Sequence, residues 1–207
     1  MLFNSLEFLY FFPTVLLLYY LLPWRGQNLF LLLASYVFYG SWNWRFLSLI
    51  LISTLVDYFC GLELHRREDT KQRKRILAIS VLTNIGILAY FKYANFFYDS
   101  AVTGLESLGI DAPEFFLKVT LPVGISFYTF QTLSYTIDIY YRRLKPTRDF
   151  LNFALFVAFF PQLVAGPIER ARNLLPQIES KRKITGYQVL SGVWLIILGY
   201  FKKVAIS

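Results

Sequence analysis

Long apolar runs separated by short basic clusters decide what this chain can fold into. The runs fall at residues 6–22, 29–39, 46–61, 76–98, 150–165 and 185–201, with a further one from Pro122 toward Arg142. The basic clusters fall between or after them, at 66–75, 142–148, 170–183 and 202–203. Hydrophobic residues make up 56% of the 207 and charged residues only 16%, more apolar surface than one soluble core of this size can hide. A bilayer core about 30 Å thick takes roughly 20 apolar residues in helix. The chain therefore reads as all-α, a polytopic transmembrane helical bundle with short re-entrant or broken helices.

The net charge of +8 raises nucleic acid as a partner, but its distribution argues against it. Short basic clusters at the ends of apolar runs are what cytoplasmic loops look like under the positive-inside rule. Nucleic acid would call for a continuous basic face on a module of its own. The partner expected first is the lipid bilayer. The segment before the first run carries no positive charge and no small-residue cleavage site follows it, so that helix is expected to stay in the mature protein. Cys60 is the single cysteine, which leaves no disulfide, no thiol metal cluster and the role of a small buried residue.

A topology follows from the clusters. The first run stops at Pro23, with Trp24 and Arg25 as interfacial anchors. Gly40 to Arg45 (GSWNWR) reads as the turn of a helical hairpin at an interface, in preference to one long kinked helix. Residues 63–75 (ELHRREDTKQRKR) are the most polar stretch and belong in water, on the cytoplasmic side. Residues 76–98 then span outward to an acidic loop at 99–118 that contains Gly104, Gly109 and Pro113. The N-terminus accordingly lies outside and loop 62–75 inside. Residues 150–165 make about 24 Å of helix, short for a span. Two readings fit them: a re-entrant element, which leaves Lys202 and Lys203 outside, or a crossing, which puts 170–183 outside. The re-entrant reading is preferred.

Several polar residues have plain structural explanations. Asp57 is expected to snorkel or to pair with a nearby arginine, Asn84 to bond between helices, and Lys92 and Asn95 to anchor at the outer interface. His65 lies in a charge-rich, solvated stretch without an orienting partner and is a poor candidate for catalysis. No phosphate loop, nucleophile elbow or metal-spaced set occurs, and no metal or bound cofactor is expected. The catalytic residue stays unknown.

Residues 121–177 differ from the rest. They are apolar yet punctuated by Pro122, Gly124, Gln131, Asp138, Pro161, Gln162, Gly166, Pro167 and Glu169. Lipid offers a polar group no partner, so such groups face protein or a water-filled cavity. Tyr128, Gln131, Tyr135 and Asp138 recur every three or four residues and share one helical stripe, with Ser126 two residues ahead of it. That stripe either faces a cavity or serves interhelical hydrogen bonding. The Pro and Gly pairs break helix and free backbone groups that only protein or a water-lined funnel could satisfy.

The sequences LPVGISFYTFQTLSYTIDIYYRR, FALFVAFFPQLVAGPIERARNLLPQI and LGYFKKVAIS resemble the signature region of the membrane-bound O-acyltransferase family. YGSWNWRFLSLILISTLVDYFCG and LAYFKYANFF resemble its N-terminal half. Within the family, the branch resembled holds the alginate O-acetyltransferase membrane subunit and the D-alanyl transferase of teichoic acid modification. The resemblance implies helices around a funnel, in an inner membrane, that pass an acyl group from a cytosolic thioester donor to an extracytoplasmic polysaccharide or cell-wall polymer. The donor would be acetyl-coenzyme A or an acyl-carrier thioester, and extracytoplasmic acyl-relay or polysaccharide-modifying proteins would be partners. The family's histidine base lies beyond the matching segments, so residues 1–207 are expected to be the N-terminal part of one acyltransferase domain, inactive alone. Ser126, Gln131, Asp138, Gln162 and Glu169 become candidates for the funnel lining. Arg142, Arg143, Arg170 and Arg172 become candidates for attracting an anionic donor at the cytoplasmic mouth. A transporter or export scaffold built on the same broken helices is the rival reading.

Overall fold

The computed structural model describes residues 5–108, 119–163, 166, 169–182 and 184–202, and these are helical without strands. Gly109, Pro113, Pro167, Lys183 and Lys203 lie outside the described residues.

Helix α1 (Leu6–Leu21) starts where the Ser5 hydroxyl accepts the Phe8 N–H at 3.2 Å and stops ahead of Pro23. Helix α2 (Trp24–Asn43) begins directly after that proline. The expected turn is present but late: the helix runs through Gly40 and breaks at Asn43, whose extended backbone redirects the chain through a short 3₁₀ turn (Trp44–Phe46). The Asn43 side chain accepts the Arg45 N–H at 3.1 Å. Helix α3 (Leu47–Arg66) comes next.

Helix α4 (Thr70–Ser107) runs for 38 residues, about 57 Å, well beyond the thickness of a bilayer core. Two expectations are corrected by α3 and α4 together. The polar stretch 63–75 is not a loop, because only Arg67 to Asp69 separate the two helices. Lys, Arg, Glu and Gln are good helix formers, and the Asp69 carboxylate caps α4 by accepting the Lys71 and Gln72 N–H groups. Nor is Arg73 solvated; it is 6% exposed. At the far end, residues 99–107 continue the helix where an outer loop was expected.

Helix α5 (Ile125–Tyr140) opens on Gly124, whose φ of 77° is a left-handed conformation that favours glycine. It closes with Arg142 at φ 58°. The Arg143 N–H bonds the Asp138 carbonyl at 2.8 Å and the Arg142 N–H bonds that of Ile139 at 3.0 Å, the pattern of a Schellman cap. Helix α6 (Phe150–Ala158) has nine residues and is buried from Asn152 onward. A break at Phe159 separates it from the one-turn α7 (Phe160–Leu163). The basic cluster expected as a loop at 170–183 contains helix α8 (Ala171–Glu179), which buries Ala171, Leu175 and Ile178. Those residues recur every three or four positions and make one apolar face; the charges occupy the other. Helix α9 (Gly186–Phe201) begins with a capping box between Thr185 and Gln188 and buries no residue.

The core is built on α3, α4 and α5, which pack on one another, with α6 enclosed by α2, α3, α5 and α8. Gly61 makes the α3–α5 approach possible: a Cβ there would sit 2.7 Å from Tyr135 Cε1. Tyr135 in turn lies 4.5 Å, ring to ring, from Phe153 of α6. Asn28 of α2 donates to the Asn152 side chain at 2.9 Å and to the Ile178 carbonyl at 2.9 Å. Asn152 of α6 and Ile178 of α8 thus meet at one point on α2.

Candidate functional site

Helix α5 carries two polar surfaces, and they meet different neighbours. The first faces α3 and α4. Asp57, fully buried, accepts hydrogen bonds from the Ser80 hydroxyl at 2.5 Å and from the Asn84 amide at 2.8 Å. Thr136 lies 3.0 Å from Ser80 across the interface, and Thr132 donates to the Asn84 side-chain oxygen at 3.3 Å. Asn84 bonds between helices as expected. Asp57 neither snorkels nor pairs with arginine; three helices enclose it and small neutral donors satisfy it. Sequence reasoning missed Ser80, Thr132 and Thr136. Their signal is present as small polar residues at helical spacing on two further helices.

The second surface faces the broken helix. A break in a helix leaves backbone groups that must find other partners. At Phe159 the freed Phe156 carbonyl accepts the Gln131 amide at 2.7 Å, and the freed Phe160 N–H bonds the Ser35 hydroxyl at 3.2 Å. The carbonyl of Val157 would bond the N–H of residue 161, which is a proline and has none. Gln131 also reaches the Gln162 side chain at 3.4 Å. Two of the five lining candidates are therefore together, at the break itself.

The other three stand apart. Ser126 lies half-buried in the first turn of α5, and Asp138 near its far end, about 18 Å along the helix. Asp138 is 6% exposed, and its Oδ2 has no hydrogen-bond partner among the described residues. The Tyr128 hydroxyl on the same helix is likewise buried without one among the described residues. Glu169, half-buried, accepts from the Asn173 side chain at 3.3 Å. An apolar groove of about 500 Å³ lies elsewhere, between α1 and α2, lined by Phe11, Val15, Leu18, Phe30 and Leu33 among others.

The four arginine candidates are all exposed. Arg142 and Arg143 form the turn that ends α5, while Arg170 directly precedes α8 and Arg172 lies in its first turn. The Arg143 guanidinium rests 5.2 Å from the Tyr141 ring centre. His65 is exposed near the end of α3, and Cys60 is buried as expected. Asn95 holds the backbone of Val119, donating to its carbonyl at 2.8 Å and accepting its N–H at 2.9 Å.

Two further groups escape a sequence reading because their partners are remote. Arg182 donates to the Tyr19 hydroxyl at 2.7 Å and to Asn28 at 2.8 Å, tying the segment after α8 to α1 and α2. Arg73 joins the ends of α3 and α5.

Over its whole length the chain is 42% identical to proteins named "Probable alginate O-acetylase AlgI" from Pseudomonas syringae pv. tomato and from Azotobacter vinelandii. It is 31% identical, again over its whole length, to a "Peptidoglycan O-acetyltransferase" from Helicobacter pylori. The chain spans 40%, 42% and 44% of the length of these curated relatives. No family model matches it, and no solved structure does. These homologues show the resemblance to the alginate O-acetylase branch of the membrane-bound O-acyltransferases. With the long apolar helices they make this a membrane protein.

Proposed function

We propose that this chain forms part of a membrane-bound O-acyltransferase that moves an acetyl or similar acyl group from a cytosolic thioester to an extracytoplasmic polysaccharide or cell-wall polymer. The observation that carries the reading is the 42% identity over the whole chain to proteins named as alginate O-acetylases. The donor is acetyl-coenzyme A or an acyl-carrier thioester. A histidine base outside this chain activates the acceptor hydroxyl for attack on the thioester carbonyl. The protein sits in the cytoplasmic membrane with its N-terminus outside and residues 62–75 in the cytoplasm. It works with extracytoplasmic relay or polymer-modifying proteins.

In this reading the present residues supply the path rather than the reaction centre. Gln131 and Gln162, meeting at the helix break, mark where the wall of the path turns polar; Ser126, Asp138 and Glu169 extend it. Arg142, Arg143, Arg170 and Arg172 attract the anionic donor.

The test is the acetyl content of the exported polymer. Deleting the gene should remove ester-linked acetate, and the intact gene should restore it. Unchanged acetylation would overturn the reading and favour a transporter or scaffold. The lining role has its own test in the intact enzyme. Gln162→Ala should slow acyl transfer at unchanged thermal stability, since groups remote from the reacting centre act through binding and orientation of the substrate. An unchanged rate would remove Gln162 from the path.

A further inference from the structure

Arg73 is a buried cation without a carboxylate bonded to it among the described residues. Its guanidinium is spent on backbone carbonyls. Nη1 donates to the Leu64 carbonyl and, at 3.2 Å, to that of Arg67. Nη2 donates to Ile139 at 3.2 Å and to Tyr140 at 2.5 Å. The Tyr140 ring lies 5.5 Å from the guanidinium carbon. These acceptors are the closing carbonyls of α3 and α5, where each helix has orphan acceptors and a partial negative charge. One side chain therefore caps two helix C-termini.

The turn after Tyr140 gives this clamp a consequence, because Arg142 and Arg143 project from it. The Ile139 carbonyl receives both the Arg142 N–H and the Arg73 guanidinium, so the clamp and the turn share an atom. Arg142 holds a φ of 58°, a conformation that is costly for a residue with a Cβ and persists where its surroundings over-determine it. The Arg73 contacts to the Ile139 and Tyr140 carbonyls are part of those surroundings, on the helix side.

We infer that Arg73 is a positioning residue for donor capture: by holding the last carbonyls of α5 it sets where Arg142 and Arg143 stand at the mouth of the path. The inference rests on the reading of that arginine pair as a donor-attracting site. A residue that merely stapled α3 to α5 would affect stability and turnover without acting through the pair.

The experiment is steady-state kinetics of the intact enzyme in membrane vesicles with acetyl-coenzyme A as the varied substrate. Arg73→Gln should raise KM about threefold to tenfold, the lower end of what a charged mouth adds to local ligand concentration. Its kcat should stay within about twofold, since the lost interaction concerns binding. Arg73→Lys keeps the charge and three donors, so it should recover part of the loss and also guards against a Gln variant that fails to fold. In an Arg142→Ala/Arg143→Ala background, Arg73→Gln should add no further rise. A full additional rise there, or a fall in kcat at constant KM in the Lys variant, overturns the inference. If the double alanine variant itself leaves KM unmoved, the donor-site reading fails and takes the inference with it. A raised KM in the double variant with none for Arg73→Gln or Arg73→Lys rejects the positioning role alone.

Discussion

Asp57 shows what a single buried side chain can demand of its neighbours. Its carboxylate is fully buried, bonded by Ser80 and Asn84 and lined by Thr136 and Thr132 one contact further out. Asp57→Ala removes the buried acceptor of the Ser80 hydroxyl and the Asn84 amide, and we expect a loss of about 1–3 kcal/mol, read as a lower thermal midpoint in detergent. Asp57→Asn, which keeps the shape and one acceptor, should lose less. An Ala variant as stable as the parent would mean that the three-helix lock contributes nothing. Gly61 makes an independent demand at the same interface. Gly61→Ala forces a methyl against the Tyr135 ring, and overpacking of this kind costs about 1–3 kcal/mol. Gly86→Ala, where a Cβ meets nothing within 4 Å, is the control that should cost little. Sequence places Asn84 correctly because an amide in an apolar helix has few other outlets. It misplaces Asp57 because a carboxylate near a helix end points first to the charges close to it in the chain. The real partners are a hydroxyl and an amide on α4, 23 and 27 positions away.

At the scale of elements, the apolar helices are legible in the sequence and the polar ones are not. Helices α1, α5 and α9 lie close to where apolar runs, Pro23, Gly124 and Thr185 put them. The charge in the stretch 63–75 and in α8 suggests loops, whereas charged residues continue a helix readily if one face is apolar or the other end is capped. The break between α6 and α7 is legible in outline from its prolines. Its repair is not, because the groups that capture the freed backbone come from positions 35 and 131. That repair makes a prediction. Ser35→Ala orphans the Phe160 N–H and Gln131→Leu orphans the Phe156 carbonyl, each at a cost of about 1–3 kcal/mol. Hydrogen exchange should rise first in α6 and α7 and leave the α3–α4 pair unchanged. Uniformly faster exchange across the bundle would show that the break is no local unit. Arg182→Ala should instead loosen α8, whose end it ties to Tyr19 and Asn28.

For the whole molecule, the long-range hydrogen bonds sort the chain into two ends. Arg73 brings 64–73 together with 139–140, Tyr58 holds the Arg148 carbonyl at 2.7 Å, and Asn28 gathers 152 and 178. At the opposite end Tyr39 holds the Val123 carbonyl at 3.0 Å, Phe46 meets Phe91, and Asn95 holds Val119. The described residues of the segments expected in the cytoplasm (25, 62–75, 142–148 and 170–182) thus share one end. The exposed apolar surface of α1 and α9, including Leu9, Leu17, Leu190 and Trp194, belongs against lipid or further protein. Sidedness can then be read with thiols, because Cys60 is buried and adds little background labelling from this chain. Glu68→Cys, between α3 and α4, and Leu121→Cys, half exposed ahead of α5, mark the two ends. In intact spheroplasts a membrane-impermeant maleimide should label the Leu121→Cys variant alone, and permeabilisation should expose the other. The reverse pattern would invert the orientation and leave the fold untouched. Labelling of both from one side would mean that α4, at 38 residues, does not cross the bilayer. In that case the positive-inside argument would have no span to orient.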